Sequence, residues 1–313
     1  RWIYDKRVTD INSMTDLSKT GRERLASQYC IGSSEPKLCS RSTDGTAKYL
    51  FDGRGGRDIE AVMIPDNDRA TICVSSQAGC KMNCSFCMTG RQGFHGNLDT
   101  ADIINQILSI DESESLTNIV FMGMGEPLDN IDAVLAAIDI ITAPWGLAWS
   151  PKRITVSSVG LPRNMRRLLE ETKVHIAISV HSPYPAERAS IMPVEKAWSI
   201  TKVMDMLRDY DFAHQRRLSV EYIMFRGLND DVRHADALAR LVKGTSARVN
   251  LIRYHAIDAD DKRQPATQAD MEAFRDRLNE KGITATIRAS RGQDIDAACG
   301  MLAGKQNEQT KHL

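Results

Sequence analysis

Residues 69–87 read RATICVSSQAGCKMNCSFC. The run at 71–75 is β-branched and apolar, of strand length, and it leads into Cys80, Cys84 and Cys87 at the spacing C-x3-C-x2-C. Three thiolates so close in sequence can hold three corners of a cubic iron-sulfur cluster. Cysteines ordinarily take all four irons of a 4Fe-4S centre, so a set of three leaves one iron open to a small ligand. A zinc site is the rival reading, but a closed structural zinc needs a fourth ligand, commonly from a second C-x2-C or an H-x3-5-H pair. No such pair follows. An incidental group of buried thiols is the plainer alternative, whereas a disulfide framework fits poorly with seven cysteines and no secretory leader.

Beyond the cysteines, strand-like runs at 71–75, 118–122, 153–156, 174–180, 218–224 and 248–252 alternate with helix-like runs at 100–108, 131–141, 162–171, 200–209, 232–242 and 268–281. Such alternation implies βαβ units and a mostly parallel sheet. Six units fit a partial, open α/β barrel rather than the eight of a closed one. A last strand is expected at 284–288, then a returning segment at 292–300 that carries Cys299. Chemistry in such sheets gathers where strands end, and the cysteine loop follows the first of them. Upstream, residues 1–30 read as helical with Ser18 as a cap, and Thr100 opens the first barrel helix. Short extended runs at 49–51 and 59–64 form a hairpin across the turn-rich 52–56, and 66–68 form a loop. The expected division is a helical accessory region at 1–45, a hairpin extension at 46–70, a partial barrel at 71–290 and a C-terminal segment at 291–313.

A chain of 313 residues buries a large core and holds one catalytic domain with a small accessory piece. Its 41 basic residues balance 41 acidic ones, so no overall basic excess advertises a nucleic-acid partner. Lys152-Arg153, Arg163 with Arg166-Arg167, and Arg216-Arg217 are local candidates for phosphate contacts, though each taken singly reads more readily as a solvated face. With no run of 18 apolar residues, no membrane span or membrane partner is expected, and the reducing cytoplasm is the expected home. The chain opens on Arg rather than Met, which points to a preceding segment.

Gly123-Met124-Gly125-Glu126-Pro127 follows the second strand. Glycines there let backbone approach a ligand, and the carboxylate can bind a cationic amine, though the same word serves as a plain strand-to-helix turn. Ser157 follows the third strand and Ser179-Val180-His181 the fourth; alone, each Ser is more often a helix cap. A buried cysteine is commonly just a small hydrophobe, the reading adopted for Cys30 and Cys39. Cys73, seven residues before Cys80, and Cys299, in Ala297-Ala298-Cys299-Gly300, await a role.

C-x3-C-x2-C with Phe86 before its last cysteine resembles the signature of radical S-adenosylmethionine enzymes. The words RATICVSSQAGC (69–80), CSFCMTGRQGF (84–94), MGMGEPL (122–128) and SRGQDIDAACG (290–300) resemble, in order, those of the RlmN family, adenine C2-methyltransferases acting on 23S ribosomal RNA and tRNA. The likeness runs from about residue 1 to about residue 304. It implies a radical S-adenosylmethionine partial barrel with a 4Fe-4S cluster on Cys80, Cys84 and Cys87, and two S-adenosylmethionine molecules per turnover. Gly125 and Glu126 would hold the cofactor's amino group, and Ser157, Ser179, Val180 and His181 match cofactor-binding positions. His255 departs from the family, which often has Asn there, though either imidazole nitrogen supplies a similar hydrogen bond.

Carbon 2 of adenine lies between two ring nitrogens and is too electron-poor to attack a sulfonium methyl, so another route is needed. By the resemblance, Cys299 takes a methyl as a thiolate nucleophile. A 5′-deoxyadenosyl radical from a second cofactor then abstracts hydrogen from that methyl, and the carbon radical adds to the ring. Cys73 closes a disulfide with Cys299 to free the base, and Glu60 accepts the proton from carbon 2. Alone, Glu60 reads as a solvent-exposed hairpin carboxylate. The implied targets are the peptidyl transferase centre of 23S rRNA and the tRNA anticodon loop, with the base flipped out. A flavodoxin- or ferredoxin-type electron donor and a monomer are implied, and residues 1–45 would end an accessory RNA-contacting domain. Rivals are an adenine C8-methyltransferase, a glycyl-radical activase and an iron-sulfur electron carrier.

Overall fold

A computed structural model describes residues 2–53, 57–212, 214 and 216–302. Residues 54–56 of the expected hairpin turn, and the expected C-terminal segment beyond 302, lie outside the described residues.

The first helix, α1 (Lys19–Gln28), is capped by Ser18, whose Oγ accepts from Gly21 N–H at 3.1 Å. Strands β1 (Leu38–Arg41), β2 (Ala47–Phe51), β3 (Ile59–Asp66) and β4 (Arg69–Cys73) follow, each antiparallel to the one before. β3 turns into β4 through Asn67 at φ 52°, a left-handed position that Asn tolerates. A separate ribbon of β5 (Gln77–Gly79) and β6 (Phe94–Asn97) brackets the cysteines and the short helix α2 (Met88–Arg91).

The βα units then run α3 (Thr100–Leu108), β7 (Asn118–Phe121), α4 (Ile131–Thr142), β8 (Ile154–Ser158), α5 (Pro162–Glu171) and β9 (His175–Ser179). They continue with α6 (Pro185–Ile191), α7 (Ile200–Leu207), β10 (Leu218–Met224), α8 (Val232–Val242), β11 (Arg248–Arg253), α9 (Gln268–Glu280) and β12 (Ala285–Ile287). One ten-stranded sheet has the order β1-β2-β3-β4-β7-β8-β9-β10-β11-β12, parallel from β4 onward. The parallel run is the partial α/β barrel that the alternation predicts, with the hairpin strands continuing the same sheet past its first strand.

Sequence dictates these elements locally. In α5, Pro162 takes the first helical position, and Met165, Leu168 and Leu169 fall at the spacing that puts one apolar face on the sheet. α3 spans the expected residues 100–108. Asp99, not Thr100, is the cap: its carboxylate accepts from Asp102 N–H, and the Asp102 carboxylate accepts from Asp99 N–H. The main core lies between sheet and helices, and a second apolar cluster, including Phe86, Ile191, Ile223, Phe225 and Tyr254, seats the cysteine loop on the strand ends. Among the described residues, no helix is long and apolar enough to cross a membrane.

Candidate active site

The cysteine loop lies between the ribbon strands β5 and β6. Cys80 and Cys84 are buried and Cys87 half-buried. Phe86 meets the His181 ring edge-on at 4.9 Å and Phe225 at 5.8 Å, contacts that fix the loop on the sheet. Arg263, which sequence reading did not single out, clamps the same loop by donating to Ser85 Oγ at 2.8 Å and Ser85 O at 2.6 Å. Burial first, and then the Cys87 and Cys80 sulfurs, push the Cys84 thiol well above its ordinary pKa, and burial pushes Cys80 up to about 12. A coordinated metal reverses that balance, because a ligating thiol is deprotonated outright. Among the described residues no group of three or more His, Cys, Asp or Glu side chains stands as a ready single-ion site. The donor set of three loop thiols fits an iron-sulfur cluster with one open iron.

At the end of β7 the chain turns back against β5. Gly125 has φ 96°, and a Cβ there would lie 2.5 Å from Gln77 Cβ, so only glycine fits. Glu126 is buried; its Oε1 accepts from Leu128 N–H and its Oε2 from Val159 N–H, both at 3.0 Å. Burial pushes its pKa up to about 7, against the hydrogen bonds from Val159, Ser158 and Leu128. The carboxylate thus bridges two neighbouring loops, with its remaining lone pairs available to an ammonium group.

His181, after β9, is buried at φ 56°. Its Nδ1 accepts from Ile223 N–H at 3.0 Å, which assigns the proton to Nε2. Burial first, and then the Arg188 charge, push its pKa down to about 3, so the ring is a neutral donor. Two residues that sequence reading missed hold this corner. Arg188 is fully buried, donates to Val159 O, Ser179 O and Val180 O, and pairs with Glu195 at 2.5 Å. Asn229 donates to His181 O at 2.6 Å and Ile223 O at 2.8 Å and accepts from Phe225 N–H at 2.7 Å.

A cavity of about 160 Å³ opens between this corner and the C-terminal segment, lined by Cys73, Cys87, Ser157, Ser179, His181 and Cys299, with Glu221 and Arg288 beside them. Cys73 is buried, and burial, followed by the nearby Cys299 sulfur, pushes its thiol up to about 12. Cys299 is exposed to the lumen; the enclosing protein raises its pKa while the Arg288 charge opposes the shift. Arg288 in turn meets Glu221 Oε2 at 3.4 Å.

The segment carrying Cys299 is a strap held at both ends. Gly292 N–H donates to Asp44 Oδ2 at 3.0 Å, Ser42 Oγ to Asp294 Oδ1 at 2.6 Å, and Lys48 Nζ to Asp296 O at 3.4 Å. At the far end Met88 N–H donates to Gly300 O at 2.8 Å and Thr89 Oγ1 to Leu302 O at 2.7 Å. Gly300 adopts φ 88° with its backbone against Phe86, so the strap lies directly on the cysteine loop.

Glu60 is not the solvent-exposed carboxylate that its hairpin position alone would suggest: it is 1% exposed and pairs with Lys48 at 3.2 Å. On β3 it shares the face of Val62 and Ile64, which line the cavity. Cys30 and Cys39 are exposed rather than buried. Gly125, Glu126, Val180 and half-buried His255 are not brought into the cavity wall, and His255 bonds Ser290 Oγ through Nε2 at 2.8 Å.

Residues 74–239 match the family model described as the radical SAM superfamily, and residues 1–31 match the ribosomal RNA large subunit methyltransferase N-terminal domain. The crystal structure of a radical SAM methyltransferase from Sphaerobacter thermophilus shares the fold with TM-score 0.90 at 36% identity, over 97% of this chain and 91% of that one. Fold and donor set define a radical S-adenosylmethionine enzyme, a class that implies an iron-sulfur cluster and S-adenosylmethionine. A probable dual-specificity RNA methyltransferase RlmN from Parabacteroides distasonis is 56% identical over 306 residues, 98% of this chain and 89% of the relative. The dual-specificity RNA methyltransferase RlmN of Bdellovibrio bacteriovorus is 38% identical over 318 residues, 100% of this chain and 79% of the relative. The chain belongs to the RlmN family of radical SAM RNA methyltransferases.

Proposed function

We propose that this protein methylates carbon 2 of adenine, in 23S rRNA at the peptidyl transferase centre and in the tRNA anticodon loop, through a methyl group carried on Cys299. The observation that carries the proposal is that Cys73 and Cys299 face one small cavity together with Cys87. Cys80, Cys84 and Cys87 would hold the cluster, and Gly125, Glu126, Ser157, Ser179, Val180, His181 and His255 the cofactor. When bound, cluster and S-adenosylmethionine supply a 5′-deoxyadenosyl radical by one-electron reduction, and two cofactor molecules serve each turnover.

The protein's own groups do the rest. Cys299, opposite Arg288, loses its proton and accepts the methyl. His181, neutral and donating through Nε2, orients the cofactor without adding charge. Glu60 receives the proton leaving carbon 2, with Lys48 beside it to stabilise the carboxylate. Cys73 then attacks the Cys299 sulfur: the disulfide forms as the sulfur–carbon bond breaks, and the freed carbon takes a proton from solvent once the adduct's unpaired electron has returned to the oxidised cluster. An external thiol reduces the disulfide before the next cycle. A flavodoxin- or ferredoxin-type protein supplies electrons, the enzyme acts as a cytoplasmic monomer, and the segments 1–45, 46–70, 71–290 and 291–313 divide the labour between RNA contact and chemistry.

Anaerobic reconstitution with labelled methyl donor and an rRNA fragment, followed by nucleoside analysis, tests this reading. The expected product is 2-methyladenosine; label only in 8-methyladenosine, or only in protein, would refute it.

A further inference from the structure

At the opposite end of the barrel, where the parallel strands begin, lies a bowl of about 1060 Å³. Arg69 starts β4 and Arg248 starts β11; Lys152 precedes β8, Arg216 and Arg217 precede β10, and Lys243 ends the turn after α8. Sheet order brings them together, because neighbouring parallel strands place their first residues on one rim. Among the described residues the lining holds no Asp or Glu. At the rim His214 meets Asp211 at 3.0 Å. In a chain of zero formal charge, this is a large local excess of one sign.

Arg216 gives the bowl a built floor. It is only 6% exposed, and its Nη2 donates to Leu169 O at 2.8 Å and Thr172 O at 2.6 Å. Its Nη1 is buried and, among the described residues, has no hydrogen-bond partner. A buried guanidinium with an unsatisfied donor and no carboxylate costs free energy unless an anion completes it. His175, also in the lining, is held below its ordinary pKa by burial first and then by the charges of Arg217, Lys152 and Arg216, as an uncompensated positive field requires.

We propose that the N-terminal mouth of the barrel binds consecutive phosphate groups, with Arg216 as the buried anchor and Arg69, Lys152, Arg217, Lys243 and Arg248 as the exposed rim. The bowl is too large for one phosphate, and its exposed cations suit a chain of them, either the phosphodiester backbone of RNA or a free polyphosphate. It is separate from the thiol cavity, so it would engage RNA remote from the methylated base.

The test uses the full chain with two probes, a labelled adenine-free oligouridylate and inorganic tripolyphosphate, against the triple variant Arg217→Gln, Lys243→Gln, Arg248→Gln. These side chains are exposed, so the variant should keep the wild-type thermal midpoint. Wild type should bind oligouridylate, and the variant should bind at least about tenfold more weakly at low salt. The slope of log affinity against log salt should fall by about two, at ~0.7 per single-strand phosphate contact. Loss of both probes identifies the RNA backbone; loss of tripolyphosphate alone identifies a small polyphosphate, and the phosphate site stands in either case. Independently of any variant, tripolyphosphate should raise the wild-type thermal midpoint. No binding by wild type, or equal affinities in wild type and variant for both probes, overturns the proposal. Cys299→Ala should retain oligouridylate binding while losing methylation, which separates failure here from failure of the catalytic reading.

Discussion

Where the parallel strands end, Arg188, Asn229 and Glu126 tie neighbouring loops together around a thiol-lined cavity of about 160 Å³ through hydrogen bonds made inside the protein. Where the same strands begin, six cations among the described residues surround a bowl of about 1060 Å³ whose described lining holds no carboxylate. One mouth is preorganised by buried pairs; the other stays charged and open. The contrast teaches that burial with a partner builds geometry, whereas exposure without one leaves attraction for something outside the chain.

The largest effect should come from the thiols. Cys299→Ala is expected to lower methyladenosine formation at least about a thousandfold, as removal of a covalent nucleophile does. Cys73→Ala is expected to stall later, with RNA covalently attached to the protein and visible as a gel shift; a clean wild-type yield from either variant would dissolve the distinction between the two ends.

Next in size is Arg188→Ala. It leaves Glu195 buried without its partner and frees three carbonyls, a loss of about 3–5 kcal/mol in denaturant unfolding. Arg217→Ala at the other mouth should change stability by no more than about 0.5 kcal/mol. Similar costs at both sites would erase the comparison. Asn229→Ala should fall between them, at about 1–3 kcal/mol for the buried groups it strands.

The smallest effect concerns the strap. Although burial opposes it, hydrogen bonds from Thr46, Gly292 and Ser42 hold the Asp44 carboxyl below its ordinary range. A depressed carboxylate stabilises the folded state above its unfolded pKa, about 3.9, and loses that contribution as pH falls toward the folded value. Hydrogen exchange in residues 292–302 should therefore quicken as pH drops below about 4, and Asp44→Asn should flatten that acid limb. An unchanged acid limb in Asp44→Asn would remove Asp44 from the latch.

The fold was legible wherever an element was long and punctuated. α5 and α8 fall on the expected residues 162–171 and 232–242, one opened by Pro162 and the other capped by Asp231. The ribbon β5–β6 and helices α2 and α6 escaped because three to seven residues carry no readable period. In the site, the cysteine spacing announced a donor set, but Arg188, Asn229 and Arg263 act through partners chosen by tertiary packing. Asn229, for example, reaches His181 across 48 residues. The burial of Glu60 is invisible in its own stretch, because the partner Lys48 lies on the paired strand and Lys48 in turn reaches Asp296 O of the strap. The basic clusters were half legible. Lys152 and Arg216-Arg217 reach the bowl, whereas Arg153 stacks on Trp149 at 3.8 Å and Arg167 pairs with Asp132 and Glu171.

Mass spectrometry of the Cys299 peptide, after anaerobic incubation of the reconstituted enzyme with methyl-labelled S-adenosylmethionine and then RNA, tests the methyl-carrier claim most directly. The label should appear on Cys299 before RNA is added and leave it for carbon 2 of adenine afterwards. Label reaching that carbon at wild-type yield in Cys299→Ala would contradict the claim.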